Sequence, residues 1–312
     1  MGETLGKNCK VSVIMPCYND GAYLEEAVDS LRKQTFKDIE LIIIDDGSDD
    51  PHTVEVLNHL DYPNLTILHT NHVRPAAARN EGIRHACGEY ILPLDSDDTI
   101  EPVYIERAVQ VLDEQPEVGI VYCHADLFGE MSGNWDLPNF SMEMELLDNC
   151  IFVTAMFRKA DWETVGGFDN VNFKQGMEDY DFWLSILGLG RKVVQFPEIY
   201  FHYRIKPKSR TTEFNSDYSA VQNTYIQLYE RHRDLIADNM DIYCKKLRWE
   251  LIDHMQMLAK LRNTPVNAIT VEETDPVVVY WRSLRKLKPG AAARIEKLLG
   301  LKDRVKKLIG RK

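Results

Sequence analysis

Short apolar runs alternate with helical patterns along the first 130 residues. The runs that predict strands are residues 11–15, 39–44, 65–69, 90–94 and 119–128. Between them, apolar side chains recur at helical spacing in residues 23–33, 76–86 and 102–115 and after the helix start at Asp50-Pro51. Strands that alternate with helices in this way predict right-handed crossovers and a mainly parallel sheet flanked by helices, which is the α/β class.

The alternation fades beyond Gly129, and the rest of the chain is read more coarsely. Further strands are predicted at residues 153–158, 192–196 and 197–201, a helix at 178–187, and continuous helix over 217–262. Two prolines make residues 263–276 the best boundary before a C-terminal tail. The predicted organisation is an α/β domain over residues 1–210, a helical extension over 211–262, and a linker with a basic tail over 263–312.

Acidic residues stand where two of the predicted strands end. Asp45-Asp46 follows the second strand and Asp95-Ser96-Asp97 the fourth, so both should lie at the carboxyl edge of the sheet, where open α/β folds bind ligands. A third pair, Glu178-Asp179, opens a predicted helix. Carboxylates that converge repel one another unless a cation compensates. A divalent metal that bridges to phosphates would do so, which predicts an enzyme acting on a nucleotide-linked substrate.

Each acidic cluster has its own candidate role. A carboxylate only accepts hydrogen bonds, so Asp45 or Asp46 could accept from the N3–H of uracil or thymine. The alternative role, a helix cap before Pro51, is already filled by Asp49 and Asp50. This pair is therefore interpreted as a base-binding site.

The second cluster offers oxygen ligands at alternate positions. On an extended segment Asp95 and Asp97 point the same way, so both can approach one ion and its diphosphate. In the third cluster, one carboxylate of Glu178 and Asp179 is a candidate general base for an acceptor hydroxyl. Acidic residues that merely stabilise a helix N-terminus are an equally open interpretation of that pair.

Basic residues lie near these clusters in the sequence. Arg74 and Arg79 could each pair with Asp46 or with a phosphate, and a surface ion pair is the alternative. Weaker candidates for diphosphate or acceptor contacts follow the strand at residues 197–201, and they are His202, Arg204 and Lys206.

The net charge of −12 conceals an asymmetry between the body and the tail. Residues 281–312 carry twelve Lys and Arg against two acidic residues, a net charge of +10, and the remainder therefore carries −22. An acidic body argues against a nucleic-acid enzyme. The tail also has an imperfect apolar helical face, which suits an anionic membrane surface, and a packed terminal helix is equally open.

Two further features bound the location of the protein. The six cysteines are scattered and form no CxxC pair, which is typical of reduced cytoplasmic thiols. No apolar run approaches the roughly 20 residues that a bilayer span needs, and the N-terminus lacks a signal-peptide core. We therefore expect a cytoplasmic protein, peripheral on the membrane if the tail binds lipid.

Six motifs together resemble family-2 glycosyltransferases of the GT-A fold. In sequence order they are residues 11–19 with 34–36, residues 43–48, residues 77–83, residues 88–98, Gly166-Gly167-Phe168-Asp169, and residues 178–183. The resemblance covers roughly residues 10–210. It implies an inverting hexosyltransferase that uses a nucleotide-diphosphate sugar, a UDP-sugar first of all, with Mn²⁺ or Mg²⁺.

The resemblance also implies roles for individual residues. Asp46 with Asp45 would bind the base, Pro16 and Tyr18 would line its pocket, and Arg74 would lie near the uracil. Asp95 and Ser96 would contact the ribose or the diphosphate, Asp97 with Asp95 would hold the metal, and Asp179 would be the base. Where many relatives have His after the Tyr-Arg pair, this chain has Lys206, which puts a metal or phosphate role for that position in doubt.

The acceptor implied by the resemblance is a glycan or lipid-linked glycan of bacterial surface polysaccharide synthesis. Two other functions are weighed against sugar transfer. A metal-dependent nucleotidyltransferase or phosphohydrolase would also use aspartates on such a sheet, but the chain has no Gly-rich phosphate loop of either common pattern. A non-catalytic partner subunit with this fold would be favoured by degraded motifs, and here the aspartates are all present.

Overall fold

A computed structural model describes residues 9–173, 176–206 and 218–261. The strands are β1 (Val11–Cys17), β2 (Ile39–Asp45), β3 (Leu65–His69), β4 (Tyr90–Pro93), β5 (Thr99–Ile100), β6 (Val118–Gly129), β7 (Gly133–Asn134), β8 (Met156–Arg158) and β9 (Lys192–Ile205). The helices are α1 (Gly21–Arg32), α2 (Pro51–His59), α3 (Pro75–His85), α4 (Tyr104–Glu114), α5 (Met142–Glu145), α6 (Lys159–Val165), α7 (Glu178–Gly188), α8 (Tyr218–Arg231), α9 (Arg233–Asp238) and α10 (Met240–Leu261).

The strands join into one mixed sheet in the order β3-β2-β1-β4-β8-β6-β9-β5, with β7 on β6. Three strand pairs are parallel, namely β1 with β2, β1 with β4, and β2 with β3. β8 is antiparallel to both β4 and β6, whereas β6 and β9 are parallel. The α/β fold class is confirmed, and its parallel half is the part that the alternating pattern predicted.

The strands β1 and β2 form the buried centre of the parallel half, whereas the edge strand β3 has exposed positions. Every residue of β2 is buried, as expected for a strand covered by helices on both sides. α3 packs closely on this layer, because a Cβ on Gly82 would lie 2.6 Å from Ile44 and 2.8 Å from Ile14. α2 begins as its sequence predicted, with Asp50 accepting a hydrogen bond from the Thr53 N–H at 2.8 Å.

The strand β9 differs from the prediction. Residues 192–201 were predicted as two strands, yet β9 is one strand of 14 residues along β6. The register shifts between Cys123 and His124, where β9 passes from Phe196 to Ile199. This irregularity accommodates Pro197, because a bulge removes the need for a ladder N–H at that position.

The described residues up to Asp238 belong to one compact unit and those from Asn239 onward to a second. α8 and α9 are thus part of the first unit, and the domain boundaries predicted at 210 and 262 remain predictions. Among the described helices, none combines the length and apolar character that crossing a bilayer requires. The basic tail at 263–312 lies outside the described residues, as do the linker and its boundary.

Candidate active site

The end of β2 carries the first acidic pair in a tightly hydrogen-bonded loop. Asp45 accepts from the Ser48 N–H at 2.9 Å and contacts His69 Nδ1 at 3.0 Å. The carboxylate of Asp46 is 4% exposed and accepts from the Thr70 hydroxyl at 2.7 Å. It also accepts from two consecutive backbone N–H groups, those of residues 73 and 74, at 2.6 and 2.8 Å. Asp46 therefore fixes the loop at residues 70–74 against the end of β2.

The other predicted base-binding residues surround this loop. Pro16 lies in β1 beside Ile44 of β2, at the carboxyl end of both strands. The half-exposed ring of Tyr18 packs on His72, with ring centroids 4.4 Å apart, and forms an open wall. Arg74 has a φ of 74°, a strained backbone for a non-glycine residue that Asp46 and the following proline hold in place. These residues share one edge of the sheet, and their contact with a base stays a prediction.

The loop after β1 joins the first acidic corner to the second. Asn19, with a φ of 57°, donates to Asp49 at 2.7 Å and accepts from the N–H groups of Asp49 and Asp50 at 3.0 Å. The next residue, Asp20, accepts from the Ser96 hydroxyl at 3.0 Å. Sequence reasoning missed Asp20, because an aspartate directly before a helix looks like a simple cap. The structure adds it to the acidic residues of the candidate site.

The loop after β4 places its carboxylates at different depths. The side chain of Asp95 is 33% exposed, that of Asp97 14%, and Asp98 is fully buried. Burial raises the pKa of Asp97, with Lys206 opposing and Asp95 adding to the rise. Burial also raises the pKa of Asp98 well above its usual range, and the two neighbouring aspartates reinforce the effect. This cluster therefore carries more negative potential than its surroundings neutralise.

The end of β9 supplies cations to the same loop. Lys206 Nζ lies 2.7 Å from Asp97 Oδ2 and 2.8 Å from Asp20 Oδ1. Burial alone would lower the pKa of Lys206, but these carboxylates outweigh it, so the ammonium keeps its charge. Arg204 braces the loop from its other side, donating from its backbone N–H to Asp98 at 2.8 Å and from Nε to the carbonyl of Asp97 at 2.8 Å.

His202 lies two residues before Arg204 on β9, and its ring contacts other residues than the β4 loop. Its ring nitrogens contact Asp126 at 2.6 Å and Glu101 at 3.0 Å, so both are engaged away from the carboxylates of the β4 loop. A contact of His202 with a diphosphate stays a prediction from the sequence.

Arg79 connects the second acidic corner to the third. This α3 residue is 1% exposed, and its guanidinium lies 2.7 Å from Asp95 Oδ1 and 3.0 Å from Glu178 Oε1. Burial alone would lower the pKa of Arg79, but the two carboxylates outweigh it and keep the guanidinium charged. The sequence allowed Arg79 to pair with Asp46 or a phosphate, and the structure pairs it with Asp95 and Glu178 instead.

Asp179 follows Glu178 in the first turn of α7. It is half-buried, and its Oδ1 accepts from the N–H of Tyr180 at 2.9 Å. Its negative charge is among those that raise the pKa of Arg79, which places it in the same electrostatic neighbourhood. The first turn of α7 is also held by buried Asp181, whose carboxylate contacts His232 at 2.8 Å and Arg231 at 2.9 Å.

The donor set at this edge suits a hard divalent cation. Asp95, Asp97 and Asp20 offer oxygen alone, and oxygen ligands favour Mg²⁺ or Mn²⁺ over softer metals. The buried, incompletely neutralised carboxylates of Asp97 and Asp98 are what an ion would stabilise. The residues present therefore fit the cation that the resemblance implies.

Known proteins resemble this chain in sequence. The sequence model of glycosyl transferase family 2 matches residues 12–177, so it contains the first two acidic corners and ends just before Glu178. An uncharacterized glycosyltransferase of Rickettsia typhi is 29% identical over 223 residues, covering 68% of this chain and 67% of that protein. The chondroitin synthase of Pasteurella multocida is 32% identical over 187 residues, which cover 58% of this chain and 19% of the synthase.

Solved structures extend the comparison to the fold. S. aureus TarS 1–349 in complex with UDP-GlcNAc matches with a TM-score of 0.58 at 22% identity, covering 77% of this chain and 72% of that one. At this identity the likeness shows the fold alone. Because the family model spans more than half of the chain, and the sheet with its acidic edge has the expected form, the chain belongs to glycosyl transferase family 2 and has the GT-A fold.

Proposed function

We propose that this glycosyltransferase inverts the anomeric carbon as it moves a sugar from a UDP-sugar to a hydroxyl of a glycan or lipid-linked glycan acceptor. The observation that carries the proposal is the Arg79 bridge, which holds Asp95 and Glu178 within 3.0 Å of one guanidinium. It brings a donor-binding carboxylate and the start of α7 into one site, although they are far apart in the chain. Surface polysaccharide synthesis is the role that fits such an acceptor.

Each residue would have a role set by its position along the carboxyl edge of the sheet. Asp45 and Asp46 would accept from the base, with Pro16 and Tyr18 beside it and Arg74 at its rim. Asp95, Ser96 and Asp97 would hold the ribose and the diphosphate with its metal. When bound, Mn²⁺ or Mg²⁺ neutralises charge on the departing diphosphate. Asp179 would take the proton of the acceptor hydroxyl as that oxygen attacks the anomeric carbon.

Lys206 has a defined place in this scheme. Its ammonium already neutralises Asp97 and Asp20 in the free protein. Asp97 would hold the cation, and the Lys206 ammonium, 2.7 Å from that carboxylate, would then be available to bind a phosphate of the donor. Lys206 thus takes a phosphate-binding role rather than the metal-ligand role of a histidine.

Sugar transfer and nucleotide chemistry are separated by one assay. The full-length protein is incubated with UDP-sugars, Mn²⁺ and glycan acceptors, and products are scored for a new glycosidic bond of inverted configuration. A nucleotidyltransferase or phosphohydrolase would instead yield a nucleotidyl product or UMP and sugar phosphate. Formation of those products without a glycosidic bond would overturn the proposal.

We expect Asp97→Ala to weaken donor binding in the presence of Mn²⁺. The variant removes a metal ligand and leaves the Lys206 ammonium with one carboxylate fewer. Loss of one charge-assisted interaction of about 1.5–3 kcal/mol weakens binding roughly 10- to 150-fold. Calorimetric titration of UDP-sugar with and without Mn²⁺ measures the effect, and the variant should show almost no metal dependence.

Lys206→Met is the matched control for this titration, because it removes the other partner of the same ion pair. It leaves every carboxylate in place, so Mn²⁺ should still bind, and more tightly, since the competing ammonium is gone. A Lys206→Met protein that loses Mn²⁺ together with the nucleotide would contradict the assignment of Asp97 as the metal ligand.

Attachment of the basic tail to anionic lipid remains a prediction from the sequence alone. Co-sedimentation with anionic liposomes of the full-length protein, against a chain ending near residue 276, tests it. Equal partition of both proteins would remove the membrane partner from the proposal.

A further inference from the structure

Two thiols and a buried carboxylate meet at the opposite edge of the sheet from the candidate active site. Cys9 precedes β1, Cys87 precedes β4, and Glu40 lies at the start of β2 in register with Ser12. The two sulfur atoms are 2.8 Å apart, and the ligand atoms of all three residues lie within 4.8 Å of one another. Since β1 has seven residues, about 23 Å of strand separates this cluster from the acidic edge.

The charge of the cluster is the first reason to consider a cation. Glu40 is 6% exposed, and no Lys, Arg or His pairs with it in the part of the chain that the structure describes. Its carboxylate accepts hydrogen bonds from the Ser12 hydroxyl and, at 2.7 Å, from the Cys87 N–H. A buried carboxylate normally has a cation beside it when it is charged.

The position of the thiols is the second reason. The turn that carries Cys87 packs directly on β1, because a Cβ on Gly88 would lie 2.5 Å from the Ser12 backbone nitrogen. Gly88 also donates its N–H to the Ser12 hydroxyl at 2.8 Å. The same hydroxyl donates to Glu40, so a buried hydrogen-bonded network fixes the carboxylate against the turn. The carboxylate thus lies on β2, and the two thiols lie in the segments that lead into the neighbouring parallel strands β1 and β4.

The chemistry of the ligands selects the kind of ion. Thiolate sulfur with one carboxylate oxygen suits Zn²⁺, whereas Mg²⁺ and Mn²⁺ prefer oxygen alone. Tetrahedral coordination with bonds of about 2.3 Å to sulfur would place the two sulfurs about 3.8 Å apart. Cys87 is exposed, so its side chain can move the extra ångström and leave a fourth position for water.

We propose that Cys9, Glu40 and Cys87 form a second metal site, a Zn²⁺ site that ties the amino-terminal ends of β1, β2 and β4 together. Binding replaces the two thiol protons with the ion, so each mole of Zn²⁺ bound releases two protons. The oxygen-lined edge with Asp97 and this sulfur-lined edge then accept different metals. The site is independent of the proposed sugar transfer.

Cobalt titration tests the site directly on the full-length, metal-free and reduced protein. One equivalent of Co²⁺ should give tetrahedral d–d bands and a sulfur-to-cobalt charge-transfer band, which Zn²⁺ removes and excess Mn²⁺ does not. Zn²⁺ should also raise the thermal midpoint, because it binds the native state. Cobalt held at the acidic edge would give no sulfur band, so the two sites are distinguished.

Three variants decide the assignment. Cys87→Ser lies at an exposed position and should fold normally but lose the sulfur band and the stabilisation by Zn²⁺. Cys244→Ser, which removes an exposed cysteine elsewhere, is the matched control and should keep both. Glu40→Gln should weaken Co²⁺ binding at least tenfold. A sulfur band unchanged in Cys87→Ser, or no such band in the reduced wild-type protein, would overturn the proposal.

Discussion

Asp179→Asn should lower kcat by about 100- to 10,000-fold while leaving the Kd for the donor nearly unchanged. The amide has the shape of the carboxylate but cannot accept the proton of the incoming hydroxyl. The backbone contact of this side chain at the start of α7 can be kept, because the amide oxygen also accepts from the Tyr180 N–H. Steady-state kinetics of sugar transfer, with donor affinity measured separately by calorimetry, gives both numbers.

The control for this substitution is Asp181→Asn, two residues along the same helix. Asp181 is 1% exposed and held by His232 and Arg231, so its loss should lower thermal stability. It should leave the turnover of the folded protein near that of the wild type. An Asp179→Asn protein with near-normal transfer would show that the general base lies elsewhere.

Arg79→Met should be the most destabilising change at the site. It removes the charge from between Asp95 and Glu178 and leaves the buried carboxylate of Glu178 and the partly exposed one of Asp95 without that counterion. Breaking a buried pair in this way costs about 3–5 kcal/mol of unfolding free energy. In a unit of this size that corresponds to a fall in Tm of about 6–20 °C, measured by calorimetric unfolding.

Arg84→Met on the same helix is the matched control. Arg84 is 56% exposed and pairs with Glu81 on the surface, so its loss should cost about 1 kcal/mol or less. The double variant Arg79→Met with Glu178→Gln should recover part of the lost stability, because it removes one of the stranded charges. If Arg79→Met were as mild as Arg84→Met, the buried bridge would not hold the site together.

The parallel half of the fold could be predicted because its strands are apolar runs, a pattern that indicates burial on both faces. The aliphatic runs that become β1 and β2 have no polar alternation, and helical spacing between the runs fixes the crossovers. The antiparallel strands β5 and β7 have two residues each, too few for a periodic signal, whereas β8 falls within the strand predicted at residues 153–158. Their pairing depends on distant partners, so local patterns could not reveal it.

In the candidate site, too, local sequence patterns predict some residues, whereas contacts between residues far apart in the chain could not be predicted. Asp45, Asp46, Asp95 and Asp97 could be predicted as candidates because each pair follows a recognisable strand. Asp20 was missed, because its partners Ser96 and Lys206 are 76 and 186 residues away in the chain. The bridge from Arg79 to Glu178 spans 99 residues, and only the folded structure shows which of several carboxylates the guanidinium meets.

The central claim is that these acidic corners form one metal-assisted site for a nucleotide-diphosphate sugar. Thermal unfolding of the full-length protein with UDP-sugars and other nucleotide sugars, each with and without Mn²⁺, tests it most directly. At about 100 times the Kd a true donor stabilises by roughly 2.7 kcal/mol, or a rise in Tm of about 5–10 °C. We predict this rise with a UDP-sugar and Mn²⁺ together, and its loss in Asp97→Ala. No stabilisation by any nucleotide sugar, with or without the metal, would contradict the account.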